Sequence, residues 1–302
     1  MSAPMSGRTL AEMLRAEGVK VAEHPGWLTH NRNHKGAWGE VHGVMVHHTV
    51  TGPRTDAVAL CYNGRSTLPG PLCHGVIERD GTVHLVGNGR ANHAGGGDPR
   101  VLAAVVDERS PLPKPQMHDG SPGAADGNRA FYGFECANLG DGKDPWPPVQ
   151  VEAIVKAAAA VCRYYGWSAK SVIGHSEWSD WKSDPRGPVG VKGSDSVSMA
   201  DIRRRVQERL NHEPSWSPGG STPTPAPRPT KPPVKDDMEP IEFWNYRNAI
   251  ADAASVEAGK GRIPDAYGYL TQTHAHVQAL ITVVDSLRKE VAALKARLDT
   301  KP

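Results

Sequence analysis

Two short apolar stretches, far apart in the chain, end the same way. Val44-Met45-Val46 runs into His47-His48-Thr49, and Ser171-Val172-Ile173-Gly174 runs into His175. β-Branched residues in runs of this length predict core strands, which ordinarily do not finish in imidazoles. Side chains alternate along a strand, so only one histidine of the pair 47–48 can face a given site. Other segments repeat the strand pattern. Residues 73–78 and 82–86 flank Arg79-Asp80-Gly81, whose Asp-Gly pair predicts a tight hairpin. Phe131 to Asn138 reads as a further strand, with Glu135 among apolar neighbours.

Helical periodicity lies between and after these strands. Thr9-Leu10-Ala11-Glu12 has the form of a capping box and predicts a helix over 8–18. From Pro147-Pro148 onward, Val151, Ile154, Val155, Ala158, Val161, Cys162 and Tyr165 recur at steps of three and four until Gly166, predicting a long core-facing helix. Another is predicted from Ser198 to about Leu210, with Met199, Ile202, Val206 and Leu210 inward. Residues 56–62 predict a short helix, residues 21–39 an approach loop, and residues 95–129 a long Gly/Pro/Asp/Ser loop with one apolar island at 101–106. The expected architecture is α/β, a mixed central sheet flanked by helices, over residues 1–212.

The pattern changes at residue 213. Residues 213–240 are rich in Pro, Ser, Thr and Gly and predict an extended linker. Residues 241–302 predict an all-α segment. There Val277, Leu280, Val284, Leu287, Val291, Leu294 and Leu298 form an a/d seam, and Glu290 can meet Lys295 of a partner helix. That seam predicts a homo-oligomer through the tail; the alternative is a small wall-binding domain packed on Phe243, Trp244 and Tyr246.

Composition narrows the function classes. The chain has 302 residues, 38% of them hydrophobic, and a formal net charge of +2. No block of Lys and Arg interleaved with aromatics suggests nucleic acid. No apolar run is long enough to span a bilayer, so membrane insertion is not expected. The opening residues have no apolar core of a signal peptide, which leads us to expect synthesis and retention in the cytoplasm of a host cell until another factor gives access to the wall. Cys61, Cys73, Cys136 and Cys162 are too scattered for a disulfide framework and are expected as thiols, with a Cys61–Cys73 bridge as the alternative.

The candidate chemistry gathers around the two strand ends. Nine residues after His175, Asp184 stands on a Pro- and Gly-bounded loop flanked upstream by Trp178 and Trp181, which either wall a groove or pack the loop. Two histidines and an aspartate make a three-ligand set of the kind catalytic zinc uses. An isolated carboxylate at Glu135 must find a partner, face a groove or bind a proton.

The "VHHT" and "GHSEW" strand ends and the "KSDP" loop, in this order, resemble the zinc-dependent N-acetylmuramoyl-L-alanine amidases of the peptidoglycan-recognition-protein and phage-lysozyme type, over about residues 20–212. The resemblance implies a peptidoglycan-recognition-protein-like fold and zinc held by His47, His175 and Asp184. It implies Glu135 as the catalytic carboxylate and Lys182 beside the reacting carbonyl. It places the Gly89–Gly95 segment, with Asn92 and His93, beside the substrate groove; a polar loop without ligand is the other reading. Trp178 is taken as a further substrate contact. Cys73 stands before His74 where some members carry tyrosine, which shifts the expected proton shuttle to Glu135. The expected activity is hydrolysis of the amide between N-acetylmuramic acid and L-alanine in bacterial peptidoglycan, in the setting of a phage endolysin. The alternatives are a non-catalytic peptidoglycan-binding module, which would have no use for Asp184 or Lys182, and a zinc peptidase cutting a stem-peptide bond.

Overall fold

In the computed structural model a six-stranded sheet carries the molecule. The structure describes residues 2–190, 195–214 and 216–217, all within one unit spanning residues 1–222. The sheet strands are β1 (Val21–Glu23), β2 (Gly43–His48), β3 (Gly75–Ile77), β4 (Val83–Leu85), β5 (Phe131–Cys136) and β6 (Val172–Gly174). Their spatial order is β1-β4-β3-β5-β2-β6. Every neighbouring pair is parallel except β3–β4, the Asp-Gly hairpin. Gly81 of that turn sits at φ 81°, a conformation glycine adopts without a Cβ clash.

Helices α1 (Gly7–Ala16), α2 (Ala57–Asn63), α3 (Pro99–Val106), α4 (Pro148–Tyr165) and α5 (Met199–Leu210) surround it. α4 ends at Gly166, which takes the left-handed cap at φ 71°. Its apolar stripe, including Val151, Ile154, Val155 and Val161, packs with Leu10 and Leu14 of α1, Ile202 and Val206 of α5, and Val44, Val46, Tyr132 and Phe134 of the sheet. Each such side chain fully withdrawn from water contributes about 1.5–3 kcal/mol, so a charge at Ile154 would break this layer. On the opposite face a smaller cluster joins Met45, Phe131 and Ile173 to α3 and Trp178. The alternation expected along β2 is thus realised: Val44 and Val46 face α4, while Met45 and His47 face the other way.

Three local expectations are corrected. α1 begins at Gly7 because the extended Ser6, not Thr9, is its cap: the Ser6 hydroxyl accepts from the Thr9 N–H at 3.1 Å. Residues 21–23, expected within a loop, form an edge strand whose backbone pairs in parallel with β4. The apolar island at 101–106 belongs to the helix α3, which is capped by Asp98 and buries Val101, Ala104 and Val105. No helix among the described residues is long and apolar enough to cross a membrane. The predicted linker beyond its first residues, and the whole predicted coiled-coil tail, lie outside the described residues.

Candidate active site

Parallel strands present their carboxyl ends at one edge of the sheet, and crevices for ligands form there. His47 of β2 lies directly across from Glu135 of β5, so both side chains leave the same face. Val46 lies across from Gly174 of β6, which puts His175 beside His47. His175 starts a single helical turn, His175–Trp178, fastened by the Gly174 N–H to Glu177 (3.0 Å) and by Arg203 on the Glu177 carboxylate (2.8 Å). The Ser176 N–H donates to the Asp184 carbonyl at 2.8 Å, folding the Asp184 loop back over the strand ends.

The result is a buried triad. His47 Nδ1 and His175 Nδ1 are 2.9 Å apart, and Asp184 Oδ2 lies 3.2 Å from His175 Nδ1 and 3.3 Å from His47 Nδ1. The far sides of the rings fix their tautomers. His175 Nε2 lies 3.2 Å from the Ala94 carbonyl and His93 Nε2 lies 3.2 Å from the Phe131 carbonyl. A carbonyl only accepts, so both Nε2 atoms carry protons. His93 Nδ1 is then an acceptor for His47 Nε2, at 3.0 Å. Burial, followed by the neighbouring His175, pushes the His47 imidazole down to about 4, and burial likewise keeps His93 neutral. The two Nδ1 atoms and a carboxylate oxygen therefore converge, and these three residues are the potential metal-holding group among the described residues.

Glu135 stands beside this set. Its Oε2 is buried without a hydrogen-bond partner. Burial, reinforced by the Asp184 charge and opposed by Lys182, pushes its carboxyl up to about 8, into the range where it can exchange a proton near neutral pH. Lys182 is exposed on the Asp184 loop. A groove of about 610 Å³ opens over the set, lined by Arg65, Asn92, Glu135, Trp181, Lys182 and Asp184 among others.

The sequence expectations fare unevenly here. His47, His175, Asp184, Glu135 and Lys182 are brought together. His93 touches the groove, but both ring nitrogens are engaged and it backs His47 rather than offering a polar atom to a substrate. Room for its ring comes from Gly133, where a Cβ would lie 2.4 Å from His93. Asn128 Oδ1, a residue the sequence did not single out, holds that segment by accepting from the His93 and Ala94 N–H groups at 2.8 Å. Asn92 lines the groove with its amide N–H committed to the Pro69 carbonyl. Trp178 is a core residue, fully buried and packed edge-on to Phe131 at 5.3 Å, with no face left for a substrate. Its slot exists because Gly97 has no side chain: a Cβ there would lie 2.2 Å from the indole. Trp181 is the tryptophan on the groove. The four cysteines are free and buried.

The family model described as N-acetylmuramoyl-L-alanine amidase matches residues 37–187, half of the chain and every residue of the set above. No curated protein sequence matches. Solved structures similar to the chain include an endolysin N-acetylmuramoyl-L-alanine amidase, LysCS, from Clostridium intestinale URNW (16% identity, TM-score 0.36, covering 62% of this chain and 95% of that one). LysC, from the same organism, is similar at 15% identity and TM-score 0.38, covering 62% and 97%. The Drosophila peptidoglycan recognition protein SA is similar at 13% identity and TM-score 0.31, covering 68% and 96%. The family assignment rests on the match over residues 37–187, not on these distant likenesses. The chain belongs to the N-acetylmuramoyl-L-alanine amidase family.

Proposed function

We propose that this chain is a zinc-dependent hydrolase cutting the amide between the lactyl group of N-acetylmuramic acid and L-alanine in peptidoglycan. The observation that carries the reading is the convergence of the His47 and His175 Nδ1 atoms on Asp184 beside the buried, unpartnered Glu135 carboxyl. The donor atoms, 2.9–3.3 Å apart, approach the edge of about 3.3 Å of a tetrahedron with zinc bonds of about 2.0–2.1 Å. Three N/O ligands suit a catalytic rather than a structural zinc. The chemistry a zinc ion supplies in such a set is Lewis acidity, which acidifies water and polarises a carbonyl.

The chain's own residues supply the rest. His93 and the Ala94 carbonyl hold the two imidazoles with Nδ1 toward the groove, as outer partners of metal-binding histidines do. Glu135, already poised near neutrality, takes a proton from the attacking water and returns it to the departing alanine nitrogen. Lys182 places a positive charge where the carbonyl oxygen gains negative charge. Cys73, buried and with its thiol pushed well above the usual range by burial, takes no part. A hydrolase followed by the proline-rich stretch and the tail expected from the sequence suits a modular lysin, and host-wall lysis by a phage endolysin is the setting we propose.

Mass spectrometry of the soluble products from purified peptidoglycan tests the bond. Peptides with a new L-alanine amino terminus, and glycan strands with free lactyl carboxylates, are expected. Cuts confined to bonds within the stem peptide would replace this reading with that of a peptidase.

A further inference from the structure

Trp181 is 71% exposed, the most exposed large apolar side chain among the described residues, yet it is held in place. Its ring lies on the His118 imidazole with centroids 3.4 Å apart and planes 12° from parallel. His118 Nδ1 is paired with Asp180 Oδ1 at 2.8 Å, and the Asp180 N–H donates to the Met117 carbonyl at 3.2 Å. The His118 N–H is in turn tied to Ser121 Oγ at 3.1 Å. One face of the indole is thus covered by an anchored imidazole from a separate loop. The ring lines the groove next to Lys182. An apolar plane fixed in water before any ligand arrives loses little conformational entropy on binding.

The opposite margin differs in kind. The hairpin Gly64–Pro69, which carries Arg65, follows α2, whose Ala57 and Cys61 pack in one cluster with Val76 of β3, whereas the Trp181 loop follows β6, with β5 and β2 between β3 and β6 in the sheet. Arg65 is exposed and has no carboxylate partner among the described residues. The bond in question joins a sugar, whose pyranose ring has an apolar C–H face, to a peptide bearing carboxylates. A flat aromatic plane suits the first and a free guanidinium suits the second.

We propose that Trp181, positioned by His118, is the platform on which a sugar ring of the glycan strand stacks, with the stem peptide running toward Arg65. This rests on the amidase reading and assigns a direction to the substrate in that groove.

Two measurements on the full-length, zinc-loaded chain test it. With disaccharide–peptide substrate, Trp181→Ala is expected to raise KM about tenfold, the equivalent of about 1.4 kcal/mol. kcat should stay unchanged, because uniform binding is what is lost. Trp181→Phe, which keeps an aromatic plane, should restore most of the affinity, and His118→Ala should lose an intermediate amount. In the Glu135→Gln background, binding of peptide-free glycan strands should weaken on Trp181→Ala while binding of free stem peptide does not. An unchanged KM and unchanged glycan affinity in Trp181→Ala would overturn the platform, as would a loss confined to free stem peptide. Failure of the wild-type chain to release L-alanine-terminated peptides would defeat the amidase reading instead, and the glycan-binding arm would still decide whether Trp181 holds sugar.

Discussion

Two buried polar clusters sit on opposite faces of the sheet, and they are built on opposite principles. Behind α4, Glu17 and Arg209 are both almost wholly buried. Glu17 Oε1 meets Arg209 Nε at 3.0 Å, Glu17 Oε2 meets Arg163 Nε at 2.9 Å, and Arg209 Nη1 reaches Glu152 at 3.2 Å. Arg163 and Arg209 further donate to the Arg209 and Glu17 carbonyls. Donors face acceptors throughout, and the network is complete in itself. At the carboxyl edge of β2, β5 and β6 two imidazole nitrogens crowd one carboxylate oxygen of Asp184, and a carboxyl oxygen of Glu135 has no partner. Complete networks hold elements together, whereas a buried polar set without its own partners suits a ligand. On the proposed reading that ligand is a small cation.

That contrast can be broken at either cluster. The largest effect is expected from metal removal: chelation should abolish hydrolysis, and added zinc should restore it while magnesium, which prefers six oxygen ligands, should not. Activity assays before and after reconstitution read this directly. Glu135→Gln comes next. It should lower kcat by about 10²- to 10⁴-fold, the usual contribution of a positioned acid–base group, and leave zinc content intact. Wild-type turnover in that variant would remove Glu135 from the chemistry.

The complete cluster should respond in stability instead. Arg209→Ala leaves Glu17 buried with one guanidinium fewer and should cost about 3–5 kcal/mol in chemical denaturation. Zinc content and kcat per folded molecule should be unchanged; a matching loss of zinc would mean that the two clusters are not independent.

A smaller, pH-dependent effect comes from His74. It is fully buried, accepts from the Gly133 N–H at 2.9 Å and has Nε2 3.0 Å from the Gly89 carbonyl, and burial pushes its imidazole down to about 4. An unfolded histidine titrates near 6.5, so between about 6.5 and 4 the unfolded chain binds the extra proton. The stability from a neutral His74 is therefore complete above pH 6.5 and is lost as the pH falls toward 4. The loss is on the order of 3 kcal/mol at about 1.36 kcal/mol per pH unit. Denaturation midpoints across that range should fall, and the fall should be shallower in His74→Gln.

Much of this was legible in the sequence, for identifiable reasons. Strand ends that finish in histidine, and a carboxylate on a loop soon after one of them, mark His47, His175 and Asp184, because apolar periodicity and polar chemistry conflict there. The long helix was equally plain, since its stripe and its terminal glycine agree. What could not be read depends on glycines in other elements. Trp178 ends the helical turn after β6 and Trp181 stands three residues on, and the missing side chains at Gly97 and Gly127 leave room in the core for the first of them. The same holds for His93, whose place behind His47 exists because Gly133 leaves room on β5. The strand at 21–23 was missed because three residues are too few to show a period.

Zinc content measured by metal analysis, on wild type and on His47→Ala, His175→Ala and Asp184→Ala that remain folded by circular dichroism, tests whether these three side chains form one zinc site. One zinc per wild-type chain and loss of that zinc in each variant are expected. Full zinc retained by any one of the three would contradict that site.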